Sequence, residues 1–422
     1  MKTTSLHGWS RTTKSKSTVL DAHANFSGKL PAIPRGAGLS YGDAALNRNG
    51  YVLVGRQSHL QIDEKNNQVE VSADVKLAEL LNYLRQYKKS LQILPGSSRV
   101  TVGGCIAANI HGKNHHKDGS FSQIVQGIFL VTDSNKKEVY CDNETNKDLF
   151  EATLGGMGLT GYISRACLTL SPLPTCASLN FQEFHNLEEL FKDIEALRTS
   201  NLNVLALINW SAGLSGKGKI IRYSLKFDEN RKRQKNIKSR NFLPLQIKLI
   251  NKFTIRLYNK MQFRFNSKQK NVKPNSVIFM ADKNRNANLW FGKKGFIEYQ
   301  FSIPLESVDV AIRIMRDFYS SFTIFLSGVK LLSNKSIGML NFYQTGYTIT
   351  LTTIPSENLY RKLEEYDLLL SENGGKVYLA KDSRMKASNF SRMYPNLSLF
   401  KDLRSKLNLQ YFESDLSRRL SI

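Results

Sequence analysis

Three glycine-rich stretches lie between Pro34 and Gly161: Pro34–Asp43 (PRGAGLSYGD), Leu94–Gly104 (LPGSSRVTVGG, running on to His111) and Leu154–Gly161 (LGGMGLTG). No other feature restricts the fold as much. Glycine lets backbone N–H groups turn toward a ligand and lets the chain approach it without a side chain between. One such run is as readily a set of tight turns, but three with polar residues beside them point to a diphosphate cradle. A nicotinamide dinucleotide fingerprint is excluded by context. Gly36-Ala37-Gly38 opens one, yet Tyr41 stands where its third glycine belongs and Gly42 comes one place late. No adequate amphipathic helix follows either.

Around these stretches, residues up to about Pro172 form short alternating runs such as Tyr51–Val54 and Gln68–Val71, interrupted by a helical pattern over Lys76–Tyr87. Alternation predicts strands. From about Ala177 strands alternate with longer helices, Leu187–Arg198 and Leu305–Phe318 among them, the latter after the strand-like Phe296–Ile303. A further helix over Leu359–Asn373 stops at Gly374-Gly375, as a C-cap does. The fold class expected is α+β, and 422 residues at 41% apolar composition suffice for two or three domains. Four cysteines without a CxxC pair exclude a disulfide scaffold and a structural zinc site and fit a reducing compartment. Met1–Leu20 lacks the apolar core of a secretory signal, and no run of about 18 apolar residues could span a bilayer. The expected location is the cytoplasm, with at most peripheral contact at the inner membrane.

Sixty Lys and Arg against thirty-five Asp and Glu give a net charge of +25. Fourteen of the basic residues lie between Arg231 and Lys273, in a span from Asn230 to Ala281 that holds no acid. Within it, Pro244–Phe265 sets Lys248, Lys252, Arg256, Lys260 and Arg264 at four-residue intervals, a stripe along one helix. Two readings stand: a solvated helix packed by its apolar face, or an interfacial helix on anionic lipid. Nucleic acid is not expected as a partner, since no recognition motif accompanies the charge.

Gly8–Thr12, Arg35–Asp43, Leu94–His116, Gly155–Gly161 and Tyr378–Arg384 closely resemble the decaprenylphosphoryl-β-D-ribose oxidase family, with His111-Gly-Lys-Asn-His-His116 the most specific element. The resemblance runs from Gly8 to Arg419 and implies a PCMH-type FAD-binding domain beneath a sheet-and-helix substrate domain. The divisions expected are 1–172 for the flavin domain, 173–375 for the substrate domain with a basic insertion at 230–281, and 376–422 returning to the first. It further implies an FAD-dependent oxidation of a secondary hydroxyl (C2) of a polyprenyl-phosphate-linked pentose to the keto-sugar. A separate NAD(P)H-dependent short-chain reductase would complete an epimerisation. A soluble sugar, polyol or aldonolactone is the alternative substrate.

By the same resemblance, Pro34, Arg35, Gly36, Ala37, Gly38, Leu39, Ser40, Tyr41, Gly42, Asp43, Gly96, Thr101, Val102, Gly103, Gly104, Ala108, Asn109, Ile110, His111, Ile163 and Tyr378 surround the FAD. Leu39 stands where some relatives bond a histidine to flavin, so non-covalent FAD is expected. The catalytic candidates are Lys381, Tyr41, His111, Gln300 and Lys330, with Lys113 beside them. Lys381 leads, because an ammonium near the reacting hydroxyl favours a developing alkoxide; otherwise it would pair with Asp382. Trp210 and Trp290 are read as pocket walls or as core. The chain departs from the family pattern in having threonine in Tyr347–Thr350, near a reactive cysteine of the mycobacterial enzymes, and Glu298 in place of glutamine. No metal site is expected.

Overall fold

The computed structural model describes residues 2–22, 31–133, 137–227, 250–251, 253–255, 257, 270–284 and 286–422. Most of the basic segment, including the helix expected over Pro244–Phe265, lies outside the described residues. Of that helix, Phe253, Thr254, Ile255 and Leu257 are described as helical; Ile255 is buried, while Phe253 and Leu257 are exposed.

The N-terminal portion is built on two sheets. In the first, β1 (Lys2–His7) pairs antiparallel with β2 (Lys14–Asp21), and β4 (Tyr51–Val54) lies parallel between β2 and β3 (Ala32–Pro34). The second holds β5 (Leu60–Asp63), β6 (Gln68–Ser72), β8 (Val125–Val131), β9 (Glu138–Asp142) and β10 (Tyr162–Thr169), all antiparallel in the order β5-β6-β10-β8-β9. A short ribbon of β7 (Lys89–Ser90) with β11 (Ser171–Pro172) closes this lobe. Helix Leu77–Leu84 buries Leu77, Leu80, Leu81 and Leu84, the i, i+3, i+4, i+7 face that the sequence predicts.

The C-terminal portion is one antiparallel sheet of eight strands: β12 (Cys176–Phe184), β13 (Asn203–Ile208), β14 (Gly218–Lys226), β15 (Lys270–Val272), β16 (Ile297–Pro304), β17 (Leu326–Leu332), β18 (Gly346–Thr353) and β19 (Lys376–Val377). Their order is β15-β12-β14-β13-β17-β18-β16-β19. Helices Leu187–Glu195 and Val308–Ser321 cover one face, and Glu357–Glu372 packs beside the second of them. Asn186 and Ser356 cap the first and last by accepting the N–H groups of Glu189 and Leu359. Gly374, at φ +70°, ends the last helix in the left-handed region.

Alternation along β16 and β18 sorts the two faces of this sheet. Ile297, Tyr299, Phe301, Ile303, Tyr347, Ile349 and Leu351 share an apolar core with the helices. Glu298, Gln300, Thr348, Thr350 and Thr352 have the opposite parity and point the other way. Trp210 is buried in that core, stacked on Tyr319 at 4.9 Å between ring centroids. It is therefore core, and the pocket-wall reading does not apply to it.

After β19 the chain runs back across the first lobe. Phe412 bridges to Ala32, Asp415 donates its N–H to Leu46, and the Arg404 guanidinium donates to the carbonyls of Leu159 and Phe412.

Candidate active site

The three glycine stretches converge on the helix Val102–Ala107. A Cβ on Gly36 would lie 2.1 Å from Thr101 Oγ1, so the first loop rests on the helix N-cap. Gly155 and Met157 of the third donate their N–H groups to Ile106 and Ala107, and a Cβ on Gly158 would touch Pro34 at 3.5 Å. Gly38 sits at φ +66°, where a side chain would be strained. Tyr41 donates its N–H to Ala380, while Ser40 and Tyr41 accept from Trp9 and Ser10. Between these anchors, the amides of Gly36, Ala37, Gly38, Leu39 and Ser40 donate to no acceptor among the described residues. Gly36 and Ala37 are exposed. Five adjacent amides are thus left available to an outside acceptor.

Several expected cofactor contacts have side chains committed elsewhere. The Arg35 guanidinium donates to the carbonyls of Ala45 and His7. Asp43 accepts two bonds from Arg419 at 2.8 and 2.9 Å. A Cβ on Gly42 would strike the Asp382 carbonyl, so that glycine is required by loop packing. Val102 and Ile163 are in the apolar core of the first lobe, with Ile110 packed against it. Asn109 donates to Ser336 and Ile337 and accepts from Ser122. By contrast, Gly104 meets only Thr101 Oγ1, at 3.1 Å from an added Cβ, and Gly96 only Ala281, at 4.0 Å. Gly103 packs on Ala73, Ala108 accepts the Tyr378 hydroxyl at 2.8 Å, and Thr101 caps the helix through Gly104 N–H.

Where the helix gives way to His111, the polar face of the C-terminal sheet meets it. Gln300 donates through Nε2 to His111 Nε2 and to Thr348 Oγ1, both at 3.0 Å, and in this amide orientation leaves its buried Oε1 without a partner among the described residues. A ring that accepts at Nε2 carries its proton at Nδ1, and that atom lies 3.4 Å from Lys330 Nζ. Burial, with Lys330, His115 and Lys381 nearby, holds the His111 pKa well below its usual value. Lys330 is likewise held well below the usual lysine range, by burial first and then by Lys113 and Lys381. Burial also lowers Lys113, to about 8; its ammonium donates to the Ile278 carbonyl at 2.9 Å. The accepting Nε2 and the lowered pKa agree on a neutral imidazole.

Lys381 pairs with Glu298, not with neighbouring Asp382, which takes Arg419 at 2.8 Å. Glu298 Oε2 also accepts the Thr352 hydroxyl at 3.2 Å. The Lys381 ammonium lies 5.0 Å from the centre of the Tyr41 ring. Thus Tyr41, His111, Gln300, Lys330 and Lys381 form one cluster of neighbouring side chains where the two lobes meet. The sequence assigned no site role to Thr352 or Tyr343, and none to His115 beyond its place in the His111–His116 element. His115 is fully buried and stacks on Tyr343, whose hydroxyl donates to the Asn109 carbonyl. The signal for the threonines was present in the alternation of Thr348, Thr350 and Thr352 with Ile349 and Leu351.

Comparison with known proteins gives this geometry a context. Residues 13–140 match the model of an FAD binding domain. Decaprenylphosphoryl-β-D-ribose oxidase of Mycolicibacterium smegmatis is 30% identical, over 99% of this chain and 97% of its own length. The chain belongs to the decaprenylphosphoryl-β-D-ribose oxidase family. L-galactono-1,4-lactone dehydrogenase of Brassica oleracea is 26% identical over 40% of this chain and 28% of its own. Mouse L-gulonolactone oxidase is 29% identical over 37% and 33%. Membership makes the protein an FAD-dependent oxidoreductase with a PCMH-type flavin domain in an α+β fold. The residues fit that cofactor: the five unmet amides of Gly36–Ser40 suit a diphosphate, and the open faces of Gly96 and Gly104 leave room beside it. Among the described residues no helix is long and apolar enough to cross a membrane.

Proposed function

We propose that this protein oxidises a secondary hydroxyl, C2, of a polyprenyl-phosphate-linked pentose to the ketone. The observation that carries the reading is a cluster of unlike lysines: Lys381 ion-paired with Glu298, and Lys330 buried against His111 with its pKa held well below the usual lysine range. Oxidising an alcohol requires removal of a hydride and of a proton. Bound FAD supplies the hydride acceptor. Lys381 orients the hydroxyl and stabilises negative charge on its oxygen, Lys330 takes the proton, and the Oε1 of Gln300 accepts from a further sugar hydroxyl. The FAD is held without a covalent bond, since Leu39 offers no nucleophile.

The lipid-linked substrate is favoured by coverage: the named ribose oxidase aligns with nearly the whole chain, whereas the lactone enzymes above align with about two fifths of it. The basic segment Arg231–Lys273 gives the protein a cationic surface for the anionic lipid that carries such a substrate, each cation contributing about 1 kcal/mol. Exposed Phe253 and Leu257 offer the apolar contact. A short-chain NAD(P)H-dependent reductase is the expected consumer of the keto-sugar. The test is anaerobic bleaching of the flavin band by a farnesylphosphoryl-β-D-ribose probe, set against free ribose and galactonolactone. Bleaching by the lactone alone would replace this reading with that of a soluble-sugar oxidase.

A further inference from the structure

Three lysines, Lys113, Lys330 and Lys381, converge where the two lobes meet, and among the described residues one carboxylate, Glu298, faces them. The other acids nearby are taken: Asp382 by Arg419 and by the N–H groups of Arg384 and Met385, Asp367 by Arg384 and Tyr299, and Asp43 by Arg419. Glu298 is 7% exposed, and its two oxygens are spent on Lys381 and on Thr352. Sequestering a carboxylate from water is costly, and a residue serving only as a wall would be apolar.

We propose that Glu298 is the positioning and specificity-determining residue of the pocket. Its carboxylate fixes which lysine remains the cation, and it turns acidic sugars away. The proposal rests on the reading that the pocket oxidises a neutral hydroxyl-bearing ring.

The geometry gives the two lysines different neighbours. Lys381 contacts Glu298 directly and otherwise faces the Tyr41 ring, with Lys330 and His111 beyond. Lys330 faces His111, Lys113 and Lys381, and among the described residues Glu298 is the one attractive charge acting on it. Arg99 reaches the same region through its field on Tyr41. A carboxylate within hydrogen-bond distance favours the charged form of its partner. Glu298 therefore separates the two amines into an ammonium that stabilises oxyanion charge and a base that receives the proton, the division acid–base sites use when two titratable groups share one cavity. It also fills the place where a sugar carboxylate would otherwise pair with Lys381, so a sugar acid meets like charge there.

Two measurements separate this role from a structural one. In Glu298→Gln at matched flavin content, Lys381 loses its counter-charge. The alkaline limb of anaerobic flavin reduction by farnesylphosphoryl-β-D-ribose then moves down by about one pH unit or more. Glu298→Asp, which keeps the charge, restores the limb. Independently, D-ribonate titrated against the flavin absorbance, which needs no turnover, binds Glu298→Gln about tenfold or more tighter than wild type, while ribose changes little. An unmoved limb, unchanged ribonate affinity, or Asp and Gln variants that behave alike would each overturn the proposal. If galactonolactone alone bleaches the wild type, the substrate reading fails, and the same pH profile taken with the lactone still judges Glu298.

Discussion

His115 provides a stability prediction whose size follows from its surroundings. The ring is fully buried, stacked on Tyr343 at 4.3 Å between centroids, and its Nδ1 accepts the Ser333 N–H at 3.2 Å. Burial, reinforced by Lys330 and His116, pushes its pKa from 6.5 down to about 3. Between those values the unfolded chain binds a proton that the folded chain refuses, so stability is complete above pH 6.5 and falls as pH drops toward 3. Each pH unit is worth about 1.4 kcal/mol, so acidification from about pH 7 to about pH 5 removes about 2 kcal/mol through this one side chain. In His115→Phe the aromatic stack survives, the loss of the Ser333 bond costs about 1–3 kcal/mol at every pH, and the titrating group is gone. Urea unfolding at both pH values should find wild type well ahead near neutrality, with the gap closing by about 2 kcal/mol in acid. Parallel pH curves for the two proteins would refute the reasoning, because His111 and His116 are common to both.

Lys381→Ala should retain bound flavin yet reduce substrate-driven bleaching about 10²–10³-fold, measured by anaerobic stopped flow. Gly104→Val should purify colourless while keeping its fold by circular dichroism: an added Cβ meets only Thr101 Oγ1, and the rest of the branch enters the cofactor's space. Arg384→Met leaves Asp367, which is 0% exposed, without its bidentate partner and should cost about 3–5 kcal/mol in urea unfolding. The double variant with Asp367→Asn should recover most of that. Denatured protein passed through gel filtration should separate from its yellow colour; co-elution would show a covalent link despite Leu39.

Local patterns were legible wherever one element determined them. Leu77–Leu84 buries the face its spacing dictates, Tyr51–Val54 is a strand as read, and Gly374 ends its helix. The glycine loops were legible as tight turns because their conformational demands are local. What stayed hidden depends on register and on distant pairing. Glu298 faces Thr352 because β16 and β18 align as they do, and a one-residue slip would have turned both toward the helices. Arg419 braces Asp382, 37 residues before it, and Asp43, 376 residues before it, and no spacing rule links them. The Arg35 guanidinium, a natural diphosphate ligand on paper, is held by the carbonyls of His7 and Ala45, a consequence of how β1 and β2 bring the chain start past the loop.

The same apolar cluster contains Ile33, Val52 and Leu159 of the first lobe together with Phe301, Tyr347 and Phe390 of the rest. Prising the halves apart like a clamshell would hydrate that cluster at about 25 cal/mol for each Å² exposed. Separating the lobes is therefore a costly route for reactant traffic. A turnover rate indifferent to an engineered cross-link between the lobes is the behaviour this architecture demands.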